Sequence, residues 1–266
     1  MTEANPAVLD VIDLVVNYGS RRVVDGVSIR ALEPGSVTAL VGPNAAGKST
    51  LLRALAGLVP LSGTINLGAM SLQQASVGER GRQMSFMPQS LPASVPLSVL
   101  ESVIAALRAS SFDTGKPTVR ASAIEEQAIA QLTAFGIEDL ALRPLSQLSG
   151  GQRQLAGLAQ AVVREPQVLL LDEPTSALDL KHQHRVMRLV RAFSRSGRIV
   201  IVVLHDLAVA AQFADRLVVL RAGRLYADGS IAEVLTPTML HDVYGVKARV
   251  ETCSRGRVTV LVDDDI

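Results

Sequence analysis

The chain has no tryptophan, one cysteine, three tyrosines and five phenylalanines among 266 residues. With Cys253 alone, a disulfide framework and a cysteine-based metal site are both excluded within one chain, a usage that fits a reducing compartment. Charge of one sign is also missing. A formal net charge of +1 gives no electrostatic case for nucleic acid or for an anionic membrane surface. Long apolar runs are absent as well. Although 48% of the residues are hydrophobic, no run reaches the roughly eighteen needed to cross a bilayer. The longest, Ile199 to Leu204, stops at His205 and Asp206. The opening MTEANPAVLD lacks the basic and apolar regions of a signal peptide. These absences predict a cytosolic chain that reaches a membrane only through a partner. Its length suits one large domain or two small ones and is ample for a buried core.

What the chain does have is concentrated between Leu148 and Asp179, LSGGQRQLAGLAQAVVREPQVLLLDEPTSALD. Ser149, Gly150 and Gly151 precede a helical pattern of Leu155, Leu158, Ala159 and Val162, so they offer free N–H groups and the positive end of a helix dipole to an anion. After a turn at Pro166, Val168 to Leu171 reads as a strand buried on both faces, the kind found inside a parallel sheet. Asp172 and Glu173 then fall where that strand ends, which is where ligands bind in open α/β sheets. Pro174 is expected to hold Glu173 extended. A carboxylate pair after an apolar run is by itself only a solvated strand end.

A phosphate cradle elsewhere in the chain changes that reading. Gly42, Pro43, Asn44, Ala45, Ala46, Gly47, Lys48, Ser49 and Thr50 follow the apolar run Val37 to Val41 and precede a predicted helix from Ser49 to Leu58 closed by Gly57. They match G-x-x-x-x-G-K-[ST] in the strand-then-helix setting that the motif requires. The negative charges of ATP would be met by backbone N–H groups, the Lys48 ammonium and a Mg2+ ion held by the Ser49 hydroxyl.

Together, the P-loop and LSGGQ followed by LLLDEPTSALD resemble the ATP-binding subunit of an ABC transporter, and the resemblance covers nearly the whole chain. It implies an α/β fold: a P-loop NTPase (RecA-like) core with an N-terminal antiparallel β subdomain and an inserted α-helical subdomain. The corresponding boundaries are a single domain over 1–266, with the core at 1–90 and 149–235, the helical part at 91–148 and an extension at 236–266.

In chain order, Val8 to Asn17 and Arg22 to Arg30 are strand-like and flank a turn at Tyr18, Gly19 and Ser20. Tyr18 matches the family aromatic that stacks on adenine. At Ala45 many family members carry glycine. Ala45 is expected to keep an ordinary negative φ, because a left-handed alanine would be strained by about 1 kcal/mol. Thr64 to Leu67 and Gln83 to Met87 read as short strands. Gln89, just beyond the second, matches the family glutamine that contacts Mg2+ and the attacking water. Leu97, Leu100, Val103, Ile104 and Leu107 recur at helical spacing, as do Ile124, Ala128, Leu132 and Phe135, with the polar loop FDTGKP between them. In the family this helical part receives a coupling helix from the membrane subunit.

Lys181 to Arg195 reads as an Arg-rich surface helix, on which His182 and His184, two residues apart, do not share a face and are taken as solvated rather than metal-binding. His205, ending the strand Arg198 to Leu204, matches the family histidine that reaches the γ-phosphate. Arg216 to Leu220 and Arg224 to Ala227 form a predicted hairpin, and Arg249 to Val262 a second, with Asp263 to Asp265 as a frayed, solvated end. This ending resembles the importer branch that carries iron siderophores, haem or cobalamin.

The resemblance implies hydrolysis of MgATP. Lys48 offsets phosphate charge, Ser49, Asp172 and Gln89 serve the ion, Glu173 is the general base and His205 steadies the γ-phosphate. It further implies a head-to-tail homodimer. In that pair Leu148, Ser149, Gly150, Gly151 and Gln152 close over ATP held by the other copy, and Asp179 crosses between sites. The dimer would sit on the cytoplasmic face of the cell membrane as a peripheral subunit, against integral permease subunits served by an extracytoplasmic binding protein, with no nucleic acid. A soluble ABC-type ATPase of DNA repair or translation would bring long coiled coils or two cassettes, and this chain shows neither. The complete set of Lys48, Asp172, Glu173 and His205 argues against a non-catalytic regulatory cassette. An importer ATPase for a different cargo, such as a metal ion, stays open.

Overall fold

The computed structural model describes residues 7–90, 96–109, 120–176, 178–254 and 256–265. The chain opens with strands β1 (Leu9–Tyr18) and β2 (Arg21–Leu32), reversing at Gly19 and Ser20. Strand β3 (Val37–Val41) leads through the Gly42 to Gly47 loop into helix α1 (Lys48–Leu55). Strands β4 (Ser62–Leu67) and β5 (Met70–Ser71) follow. Helix α2 (Val77–Gln83) comes next, a short element that the sequence did not announce, opened by a Ser76/Glu79 capping box. It consumes Gln83, so β6 runs only from Met84 to Met87.

Helices α3 (Val99–Arg108) and α4 (Ala121–Ala134) carry the two predicted apolar stripes. Of the first stripe Val103 and Leu107 are buried, Leu100 and Ile104 are half-buried, and Leu97 precedes the helix, while Val99, outside the predicted set, is buried. Ile124, Ala128, Leu132 and Phe135 are buried as expected, and the two helices pack on one another and on α5. The FDTGKP loop lies outside the described residues. Helix α5 (Gly150–Val162), β7 (Val168–Asp172), α6 (Leu180–Arg195), β8 (Ile199–Val203), α7 (Leu207–Phe213), β9 (Arg216–Arg221) and β10 (Arg224–Ser230) complete the main body.

Six strands form the central sheet in the order β10-β9-β3-β8-β7-β6. All neighbours are parallel except the β9/β10 hairpin at one edge. Burial on both faces explains the continuous apolar runs, because VTALV, VLLLD and IVIVV contain no exposed residue. Their period of two divides the core. Val37, Ala39, Val41, Leu169, Leu171, Val200 and Val202 face the side covered by α5, α6 and α7. Leu40, Val168, Leu170, Ile201 and Val203 face the side shared with α1 and the separate four-stranded antiparallel sheet, β2-β1-β4-β5. These layers are the expected P-loop NTPase core with its antiparallel companion sheet.

The carboxyl end departs from expectation. Beyond Leu235, strands β11 (Val246–Thr252) and β12 (Val258–Asp265) pair antiparallel, and Asp263 to Asp265 belong to β12 instead of fraying. Arg249 explains the order, since its guanidinium forks onto Asp263 across the pair at 3.0 Å while also reaching Glu251 at 2.7 Å. Solvent exposure was read correctly there, and pairing was not.

Leu52, fully buried on α1 against the companion sheet, tests the division of the core. Leu52→Ala is expected to lower stability by about 2 to 5 kcal/mol, read as a shifted urea midpoint with unchanged slope. A shift below about 0.5 kcal/mol would show that the α1 layer is not close-packed.

Candidate active site

Three adjacent strands, β3, β8 and β7, end at the same edge of the sheet, and each delivers one part of the site. The residues following β3 wrap into the loop, the last residue of β7 is Asp172 with Glu173 next, and β8 is followed by Leu204 and His205. Strand β6, beside β7, points Gln89 at the same edge. Parallel pairing therefore gathers residues from four places in the sequence, as expected at the carboxyl ends of an open α/β sheet.

The loop shape rests on backbone that side chains would obstruct. Gly42 has φ 142°, and a Cβ there would sit 2.1 Å from the Leu220 carbonyl oxygen. Gly47 has φ 99°, with the Val23 carbonyl oxygen 2.9 Å from a Cβ. Ala45 overturns its expectation. Its φ is +62°, in the left-handed region, because the chain must curl around the cavity between two glycines that are already at positive φ. Alanine tolerates this at a cost of about 1 to 2 kcal/mol. The curl encloses a cavity of about 270 Å³ lined by Tyr18, Arg21, Val23, residues 44–50, Glu173 and His205. Tyr18, at the end of β1, lines the cavity and is 47% exposed.

Lys48 is 5% exposed, and its Nζ donates to the Gly42 and Pro43 carbonyl oxygens, each at 2.8 Å. Burial pulls its pKa down, and the nearby Glu173 and Asp172 charges pull it back up. Asp172 is 2% exposed and accepts the Ser49 hydroxyl at 2.8 Å. Burial pushes its carboxyl above the ordinary range, which the Ser49 bond partly offsets. Two hard oxygen donors side by side, next to a loop suited to phosphate, fit Mg2+.

Glu173 lies between two partners. One carboxylate oxygen accepts from Gln89 Nε2 at 2.7 Å, and the other lies 2.5 Å from His205 Nε2. The expectation that Pro174 keeps Glu173 extended fails, since its φ is +51°. A turn imposes this: the Ser176 N–H and Oγ both bond to the Glu173 carbonyl oxygen, at 3.2 and 3.0 Å. A non-glycine residue held in this region stores of order 1 to 3 kcal/mol and points to function.

The Leu148 to Gln152 segment does not line this cavity. It opens α5 with a capping box: the Ser149 Oγ accepts the Gln152 N–H at 3.3 Å, and the Gln152 Oε1 accepts the Ser149 N–H at 3.0 Å. Asp179 caps α6 by accepting the His182 N–H at 2.8 Å and also meets His182 Nδ1 at 2.8 Å. The His182 and His184 rings go separate ways, His182 to Asp179 and His184 edge-on to Phe213 at a ring-centroid distance of 5.4 Å. Sequence reasoning missed Gln154, whose Nε2 donates to the Gln89 carbonyl oxygen at 2.9 Å and so ties α5 to the Gln89 segment. It also missed Tyr244, whose hydroxyl is buried without a hydrogen-bond partner among the described residues and whose phenol is pushed up to about 12 by desolvation. Neither has a local signal, because the Gln154 bond is long-range and the burial of Tyr244 is set by the fold.

The sheet order and the loop define a P-loop nucleotide-binding ATPase. A family model described as ABC transporter matches residues 25–176. The hemin import ATP-binding protein HmuV of Streptomyces coelicolor is 43% identical over 87% of this chain and 81% of its own. That of Photobacterium damsela subsp. piscicida is 35% identical over 94% of each. Among solved structures, a chain from a metal-chelate type ABC transporter in an inward-facing conformation superposes with a TM-score of 0.80 at 26% identity, covering 98% of both chains. The ADP conformation of the ATP-binding cassette MJ1267 superposes at 0.78 with 23% identity, covering 90% of this chain and 99% of that one, a likeness of fold. The chain belongs to the ABC transporter family. Within it, the protein is an ATP hydrolase coupled to transport.

Two outcomes follow from the geometry. Ala45→Gly releases left-handed strain but loosens the unfolded chain, so stability should change by no more than about 1 kcal/mol and ATP binding should persist. A stability loss well beyond that in urea titration would contradict a left-handed Ala45. Because burial raises the Asp172 pKa in the folded chain, its ionisation opposes folding at neutral pH, and the penalty disappears as pH falls through the folded value. Asp172→Asn should therefore stabilise the nucleotide-free protein at pH 7 and do so less at acid pH. A loss of melting temperature at pH 7 would contradict it.

Proposed function

We propose that this chain is the ATP-hydrolysing subunit of an importer and that Glu173 is the general base. The carrying observation is that the Glu173 carboxylate is fixed at the mouth of the P-loop cavity between Gln89 and His205. ATP enters with its adenine against Tyr18 and its phosphates in the loop of residues 42–50. Lys48 leaves its Gly42 and Pro43 carbonyls to offset charge on the β and γ phosphates. Ser49 and Asp172 would hold Mg2+, with Gln89 as a further contact, and the ion would supply charge neutralisation. Glu173 takes the proton of the attacking water, and His205 steadies the γ-phosphate. Positioning and charge compensation do most of the work in such a transfer.

The Ser149 helix end is a second anion-binding terminus outside the cavity. A head-to-tail homodimer gives it a purpose: LSGGQ of one copy closes over nucleotide held by the other, with Asp179 between the sites. Closure on binding and release on hydrolysis then drive permease subunits through the differential affinity of ATP for the closed pair. The pair works at the cytoplasmic face of the membrane as a peripheral subunit, held there by the permease subunits it drives. Haem is the cargo class we favour, because the curated relatives are named hemin import proteins. An extracytoplasmic binding protein delivers it.

Glu173→Gln should keep ATP binding while lowering turnover by about 10² to 10⁴ fold. Unchanged phosphate release would remove Glu173 from the role. Lys48→Ala should instead weaken ATP binding in calorimetry. For the cargo, haemin with its binding protein should stimulate the ATPase of the assembled transporter, and stimulation by cobalamin or a ferric siderophore alone would overturn the haem assignment.

A further inference from the structure

His182 sits where the two surfaces assigned to a neighbouring copy meet within one chain. Its backbone N–H and its Nδ1 both engage Asp179 Oδ1, each at 2.8 Å. Its ring lies against Gly151 so closely that a Cβ there would be 2.7 Å from Cδ2 and 2.8 Å from Cγ. One imidazole therefore touches the loop before α6 and the amino end of α5. These are the Asp179 and LSGGQ elements, which are separated in sequence. Gly151 is required by this contact, because its φ needs no glycine and any side chain would displace the ring.

Fold stability gives this contact little reason to exist. The Asp179 side chain is 66% exposed and that of His182 is 35% exposed, and ion pairs open to water contribute little. Closure of a second copy over this surface would remove that water and strengthen both bonds.

We infer that His182 is a positioning residue that locks Asp179 to the amino end of the signature helix, so that the two elements closing over the neighbour's ATP move as one. The inference rests on the head-to-tail reading above. His182 touches no nucleotide and lies outside the P-loop cavity, so it acts through Asp179 and Gly151. Because Nδ1 makes the bond, asparagine, which places an amide N–H near that position, preserves it, whereas alanine removes both the bond and the ring.

The test compares the full-length protein with His182→Ala and His182→Asn. His182→Ala is expected to lower kcat for ATP about tenfold with KM and melting temperature unchanged, and His182→Asn to recover most of that loss. In light scattering, ATP-driven pairing of the Glu173→Gln protein should weaken when His182→Ala is added. Wild-type kcat and pairing in His182→Ala would overturn the proposal, as would a fall in melting temperature that His182→Asn repairs without restoring kcat. If Glu173→Gln with intact His182 does not pair in ATP, the head-to-tail reading fails first, and this proposal falls with it.

Discussion

Parallel pairing of β3 with β8, and of β8 with β7, is the constraint on which the site depends. The Ser49–Asp172, Gln89–Glu173 and Glu173–His205 contacts would not survive a change of strand order, because each joins strand ends distant in sequence. The pairing is enforced by burial on both faces, with every residue of the three strands inside the core. A one-residue slip would exchange the two sets of side chains between unlike layers.

On that base the protein concentrates cost at one edge. Lys48 and Asp172 are charged groups nearly without solvent, Ala45 and Glu173 occupy left-handed backbone, and Gly42 and Gly47 leave room for no side chain. Each opposes folding and each prepares the cavity for an anion. Stability comes from the layers on either side, which explains how strain and buried charge persist at the edge.

Much of this was legible in the sequence because the signals were local. Gly42 to Thr50 announced the loop, the run from Val168 to Leu171 announced a strand buried inside a parallel sheet, and the runs at Val37 and Arg198 announced strands. The stripes in α3 and α4 followed from helical spacing. What escaped was set by distant partners. Ala45 was judged by the preference of alanine alone, and the closure of the loop outweighed it. Glu173 was judged by Pro174, and the turn closed by Ser176 outweighed that. Asp263 to Asp265 looked like a charged tail until Arg249 paired with Asp263 from the facing strand. His182 looked like a solvated surface residue because its contact with Gly151 joins the starts of two successive helices across an intervening strand, and no periodicity encodes such a meeting.

A site shared between copies is the claim on which function turns, and mixing two disabled chains tests it most directly. Lys48→Ala spoils the cradle, and Ser149→Arg spoils the signature helix end. Each alone should be inactive, yet a mixture should recover phosphate release, because a mixed pair contains one intact cradle facing one intact signature. No recovery in a mixture shown to form mixed pairs would contradict the account, as would full activity of Ser149→Arg alone.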